Sequence, residues 1–236
     1  MGRNDKDEPL LQALVVNMRQ YEKGRKIGGW VSFPVTEKRI RDLCANAALS
    51  AKDISSPGSL TAIRFQSGIP GLTNHLKAPE EPEKLGFLTG ILKGLPPDDL
   101  KRYQAVLEAG LPLPEEGSAG LINLSYNLRR YDLEDRIKND RELGEYCVKE
   151  SGIYDLSAIG GLAKYIDYEA IGRDNREYNG GVYTAFGYVF DTKIPWLHIF
   201  KGTIDEVPDV YHFSEIMGLN QQEKKSYLPR FISHHR

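Results

Sequence analysis

Five histidines, two cysteines and 33 aspartates and glutamates are the side chains from which this 236-residue chain could assemble a reaction centre. The histidines (His75, His198, His212, His234 and His235) are scattered, and none stands in an HExxH-type array. His234-His235 reads as part of a mobile tail rather than a metal site. Cys44 and Cys147 match no zinc or redox spacing, and both fall on apolar faces of expected helices, so they read as buried free thiols. There is no P-loop, no GxSxG and no GxGxxG after a strand. Gly28-Gly29 and Gly160-Gly161 read as turns. Asp167 and Glu169 stand two apart, which on a helix points them to different faces and makes a poor acid–base pair. No catalytic residue, metal or cofactor is expected, and the class that fits is a binding protein.

Ordered negative charge is the more prominent feature. Glu134, Asp135, Asp140, Glu142, Glu145 and Glu150 are followed by Asp155, Asp167, Glu169, Asp174 and Glu177. Carboxylates one helical turn apart sit about 5–6 Å from each other, close to the spacing of phosphates along a nucleic-acid strand, which carries roughly one per 3.4 Å of helix axis. A rigid row of this kind suits a protein groove built to receive DNA. The same acids also suit an ordinary solvated helix face: Arg141–Glu145 and Glu145–Lys149 are i,i+4 pairs, each worth about 0.2–0.5 kcal/mol. Tyr165, Tyr168, Tyr178, Tyr183 and Tyr188 have the same two readings, interface stacking or half-buried packing.

The formal net charge of −2 conceals an asymmetry. Residues 1–75 hold 11 Lys and Arg against 7 Asp and Glu, a balance of +4. Residues 76–150 hold 11 against 15, or −4, and residues 151–236 hold 9 against 11, or −2. In the basic front, Lys23, Arg25, Lys26, Lys38, Arg39 and Arg41 are the candidates for an alternative function, contact with nucleic-acid phosphates.

The elements that must carry these charges follow from periodicity and turn chemistry. LLQALVVNM (10–18) reads as a strand, 21–29 as a turn-rich connector and WVSFP (30–34) as a second strand. Thr36 can cap a helix whose Ile40, Leu43, Cys44 and Ala47 recur at the helical period. Strand LTAIRFQ (60–66) completes a β-β-α-β unit. A loop is expected over 70–82, then helices over 83–93 and 97–108, the second with Pro97 in its first turn and Gly110 at its stop. GLINLSYNLRRYDL (120–133) is helix-like, and helical pieces are expected over 119–128, 140–151 and 163–171. Asn179-Gly180-Gly181 reads as the turn joining Arg176–Tyr178 to a strand, VYTAFGYVF. The fold class is therefore α+β, elongated, with two to three small modules in series. These are a flexible tail (1–9), an N-terminal α+β module (10–69), a central helical module (70–117), a C-terminal α+β module (118–192) and an unassigned extension (193–236). MGRNDKDE is charged where a signal peptide needs an apolar run, and no stretch approaches the roughly 18 apolar residues of a membrane span, so a soluble cytoplasmic protein is expected.

The blocks GLINLSYNLRRYDL, ELGEYCVKESG, YIDYEAIGRD and TAFGYVFDT occur in an order and spacing that resemble the ArdA family of antirestriction proteins. NMRQYEKGRKIGGWVSFP resembles that family's opening strand–turn–strand, with Tyr21, Gly24, Gly28, Gly29, Trp30 and Pro34 in place, and YQAVLEAG (103–110) its central helical region. The resemblance covers about 10–192. It implies a curved α+β protein of three small domains, usually a homodimer, encoded on a mobile element of a bacterial host. Such a protein imitates bent duplex DNA and fills the DNA groove of a type I restriction-modification enzyme, with no cofactor and no catalysis. Leu133–Ser151 resembles the part known as the antirestriction motif. Members are as a rule strongly acidic, whereas this chain carries Lys23, Arg25 and Lys26 in a turn that is usually acidic. The expectation is therefore an inhibitor of a bacterial defence nuclease, with mimicry confined to the middle and C-terminal modules or the scaffold turned to another target such as a CRISPR effector. The expected partners are that nuclease complex and a second copy of the chain, without direct DNA binding and without a membrane.

Overall fold

Burial alternates along the first strand, and this sets up the N-terminal half. In β1 (Leu11–Asn17) the side chains of Leu11, Ala13 and Val15 are fully buried, while Gln12 and Leu14 stay partly exposed. The computed structural model describes residues 9–25, 27–47, 49, 58–152 and 160–218. β1 lies at the centre of an antiparallel sheet, between β2 (Gly28–Phe33) and β3 (Leu60–Ser67). A short helix, α1 (Met18–Tyr21), leads out of β1. Helix α2 (Glu37–Asn46) turns Ile40, Leu43 and Cys44 into the core against the inner sheet face, as its apolar period requires. The β-β-α-β order is the one expected.

Within 70–82, expected as a loop, Leu72–His75 form a single helical turn, α3, which buries Leu72. Helices α4 (Pro82–Gly94) and α5 (Pro97–Glu108) both begin at proline, whose missing N–H is no loss at a first turn. Helix α6 (Gly117–Tyr126) packs on α4, and the buried Tyr103 hydroxyl of α5 donates to the Leu121 carbonyl at 3.0 Å. Glu80 is buried with its carboxylate at the start of α6, accepting from the Ser118 amide at 2.7 Å and the Ser118 hydroxyl at 2.6 Å. Burial still pushes its pKa up.

The second sheet has the order β4-β6-β5 and is antiparallel throughout, from β4 (Tyr131–Glu134), β5 (Val182–Thr184) and β6 (Gly187–Asp191). Helices α7 (Asp140–Lys149) and α8 (Tyr168–Asn179) come between β4 and β5. Three expectations are corrected here. The 120–133 stretch is not one helix: α6 stops at Tyr126, a 3-10 turn follows at Leu128–Arg130, and 131–134 is a strand drawn into pairing with β6. Arg176–Tyr178 is helix, because Gly180 in the left-handed region (φ 63°) ends α8 by donating its amide to the Arg176 carbonyl. The hairpin lies further on, at Ala185-Phe186, where the Thr184 hydroxyl accepts from the amides of Phe186 and Gly187. The helix expected over 163–171 is a 3-10 segment (Gly160–Tyr165) followed by α8.

One cluster of buried residues runs from Leu11 through α4, α5 and α6 to Val189 and Phe213. A second, small one joins Ile137, Leu143, Cys147 and Tyr188 under α7. Both cysteines are buried free thiols, as expected. Residues 193–218, unassigned from sequence, fold back on the core. Asn123 of α6 accepts from the amides of Ile199 (3.0 Å) and Phe200 (2.8 Å) and donates to the Phe200 carbonyl (2.8 Å). Asn127 brackets both backbone groups of Leu197 at 2.7 and 2.9 Å. Phe200, Val207 and Phe213 are buried beyond this clamp, α9 (Phe213–Ile216) closing it, and the Tyr211 ring lies in a slot over Gly86 and Gly90 of α4.

The Asn123→Ala variant strips partners from three backbone groups, and each buried polar group left unpaired costs about 1–3 kcal/mol. Urea unfolding should show it less stable by about 3 kcal/mol. A loss below about 1 kcal/mol would mean that the aromatic packing alone holds the segment.

Candidate partner-binding surface

The acids singled out from sequence converge on the unit formed by β4, α7 and α8. Helix α7 starts at Asn139, whose side chain accepts from the Glu142 amide at 2.9 Å, while the Glu142 carboxylate accepts from the Lys138 amide at 2.7 Å. Helix α8 starts at Asp167, which accepts from the Ala170 amide at 3.0 Å. The two helices cross at Gly144 and Gly172, where a Cβ on either residue would overlap a backbone carbonyl oxygen of the other helix, that of Tyr168 or Asp140. No side chain separates the backbones at that point.

Asp140 ties the crossing to the sheet. It accepts from Arg176 of α8 at 2.9 Å and from the Tyr183 hydroxyl of β5 at 2.8 Å. The Arg176 hydrogen bond holds the Asp140 carboxyl below its ordinary value, and burial with the same Asp140 contact drives the Tyr183 hydroxyl strongly upward. The Arg176 guanidinium also lies over the Tyr183 ring, 5.9 Å from its centre.

Ten candidate acids fall into three groups. Four are bound to cations: Asp135 to Lys101 (2.8 Å), Asp140 to Arg176, Glu145 to Arg141 (3.4 Å) and Lys149 (3.2 Å), and Glu150 to Arg136 (3.2 Å). The hydrogen bonds from Lys101 and Lys149 lower the Asp135 and Glu145 carboxyls. Three accept from neutral donors and have no ion pair among the described residues: Glu134 from the Tyr146 hydroxyl (3.0 Å), Glu142 and Asp167 from backbone amides. Glu169, Asp174 and Glu177 have no hydrogen bond or ion pair among the described residues and share the exposed face of α8 with Arg173 and Tyr178. Glu134, Glu142, Glu145 and Glu150 line one shallow hollow of about 170 Å³ around Arg136 and Tyr146. Asp155 lies outside the described residues.

Sequence reasoning missed Asp132, exposed on β4 and read as the end of a helix. Of the five candidate tyrosines, Tyr178 (90 % exposed) and Tyr165 (72 %) are open to a partner, whereas Tyr188 is buried against Tyr183 and Phe190.

The basic candidates stand on two elements. Lys38, Arg39 and Arg41 are exposed on α2, with Arg41 on Glu37 at 2.5 Å, while Lys23 and Arg25 lie in the turn after α1. Lys26 lies outside the described residues. Of the histidines, His75 ends α3, His198 Nδ1 meets Glu115, and His212 Nε2 meets the Val207 carbonyl at 2.9 Å. His234 and His235 lie outside the described residues. No helix among the described residues is long and apolar enough to cross a membrane.

The family model for the antirestriction protein ArdA matches residues 13–190, three quarters of the chain and all of the α7–α8 unit. The chain belongs to the ArdA antirestriction family. Among curated proteins, no match to it was found. The ArdA match ends one residue before the last of β6, so the segment that Asn123 and Asn127 hold lies beyond it.

Two predictions follow from the α7–α8 crossing. Gly144→Ala should separate the helices and lower stability by more than about 2 kcal/mol in denaturant melts, while Gly94→Ala, with open space around it, should stay within about 0.5 kcal/mol. Because the Asp140 carboxyl is lowered, its contribution to stability is complete above the ordinary value of 3.8 and is lost as pH falls through the lowered one. Asp140→Asn should therefore flatten the decline of stability below about pH 4, read as melting temperature against pH.

Proposed function

We propose that this ArdA-family chain inhibits a bacterial defence nuclease by seating the α7–α8 unit in the groove that normally receives DNA, and that the nuclease is a type I restriction-modification enzyme. Family membership supports the antirestriction role. The observation that carries the location is the run of carboxylates without cation partners among the described residues: Glu134, Glu142, Asp167, Glu169, Asp174 and Glu177 all belong to this one unit. A groove lined with lysine and arginine for phosphates meets the same charge on this surface, and no bond is made or broken.

Across 118–192 there are 9 Lys and Arg against 13 Asp and Glu, a net −4, in contrast to the +4 of 1–75. Mimicry in this reading is local to the C-terminal α+β module. The chain acts as a homodimer in it, as the resemblance implies, so that two acidic units reach along one groove. Binding that rests on such charge weakens as salt rises.

Inhibition of purified nucleases tests this, with a type I enzyme and a CRISPR effector in the panel. The triple variant Glu169→Lys, Asp174→Lys, Glu177→Lys should raise the concentration for half-inhibition at least about tenfold. Reversal of Glu145 and Glu150, already bound to Arg141, Lys149 and Arg136, should cost clearly less. Equal losses from the two sets would show that the unpaired acids of α8 have no special part.

A further inference from the structure

The solvent face of the N-terminal sheet carries a second surface of opposite character. The register sets Leu14 of β1 between Trp30 of β2 and Arg64 of β3, so the three stand in one row across the outer face. A shift in the β1–β3 pairing between Leu14 and Val15 leaves Ile63 beside this row. Tyr21, at the end of α1, walls a hollow of about 90 Å³ whose lining also includes Leu14, Val16, Ile63 and Arg64. Trp30 is 41 % exposed and Tyr21 37 %. The segment bearing Tyr21 also bears Arg19, Lys23 and Arg25, all exposed like Arg64, with Glu22 as the acid among them. None of these four cations has a carboxylate partner among the described residues, whereas Arg41, Arg102, Arg130, Arg136, Arg141 and Arg176 each have one. Positive charge here is left available.

We propose that this face binds single-stranded nucleic acid, with one base in the hollow walled by Tyr21, a second on the Trp30 ring, and the backbone phosphates on Arg19, Lys23, Arg25 and Arg64. Exposed rings beside unpaired cations are what a single strand uses: every base offers a flat face to stack, and the phosphates neutralise the charge. An open sheet face neither enters a duplex groove as a helix or ribbon does nor reaches bases stacked inside it. An acidic peptide would meet the cations but leave Trp30 and the apolar floor of the hollow without a counterpart. The site is independent of the α7–α8 unit, so nuclease inhibition can succeed or fail without it.

Fluorescence anisotropy of a labelled 20-nucleotide oligothymidylate, a matching RNA and a 20-base-pair duplex tests this on the full chain. Both single strands should bind at about 50 mM salt at least tenfold more tightly than the duplex, with a log–log salt slope near −3 if four phosphates are engaged. Trp30→Ala and Tyr21→Ala, checked for folding by circular dichroism, should each weaken binding about 5- to 150-fold. The surface variant Arg64→Ala, which removes no buried group, should reduce the slope by about 0.7. The proposal is overturned by absent binding at low salt, by equal binding of the duplex, or by affinities insensitive to both aromatic substitutions. It is also overturned if a polyglutamate peptide displaces the strand and binds the Trp30→Ala protein as well as the wild type, since the face would then be a cation patch for an acidic protein.

Discussion

At the crossing of α7 and α8 the Gly144 and Gly172 backbones meet directly, each helix approaching the carbonyl oxygens of the other. Any side chain at either position would force the helices apart, and the consequence would spread outward. Asp140 sits one turn from Gly144 and reaches Arg176 one turn beyond Gly172, and from there Tyr183 in the sheet. The crossing distance thus determines whether that three-way contact closes. It also sets how far the exposed acids of α8 stand from those of α7, which is the geometry a groove of fixed width would sense.

Charge in this unit is divided between structure and display. Asp135, Asp140, Glu145 and Glu150 hold cations, and a partner's lysine would have to compete with those for them. Glu142 and Asp167 bond backbone amides at the first turns of α7 and α8, where the helix dipole favours an anion and no charge is cancelled. Capping therefore fixes their position and leaves their field intact. Counting carboxylates in a sequence overstates what a groove would meet, because nearly half of these ten already have a counter-ion.

Features with a local cause were legible in the sequence, and features with a distant cause were not. Ile40, Leu43 and Cys44 announced α2 by their period, and Pro97 announced the start of α5. Asn179-Gly180 misled because one left-handed glycine serves a hairpin turn and a helix stop alike, and only the length of α8 decides between them. The break at Asn127 was invisible because its side chain is engaged with Leu197, 70 residues away. The acidic positions could be listed from the sequence, but their partners could not: Lys101 is 34 residues from Asp135, and Arg176 is 36 from Asp140. Trp30 and Arg64 become neighbours of Leu14 only through strand register.

The clamp formed by Asn123 and Asn127 ties the ArdA-matched region to the segment that follows it. Both asparagines lie inside the ArdA-matched region, yet the backbone they satisfy lies outside it. Two amides turned inward on α6 would be a burden without that appendix, and Phe200, Val207 and Phe213 would have no seat without α6 and its neighbours. Trimming the protein back to the matched region would therefore leave inward-facing amides and apolar surface of α6 uncovered in the body that remains. Segment and body each supply the groups that the other buries.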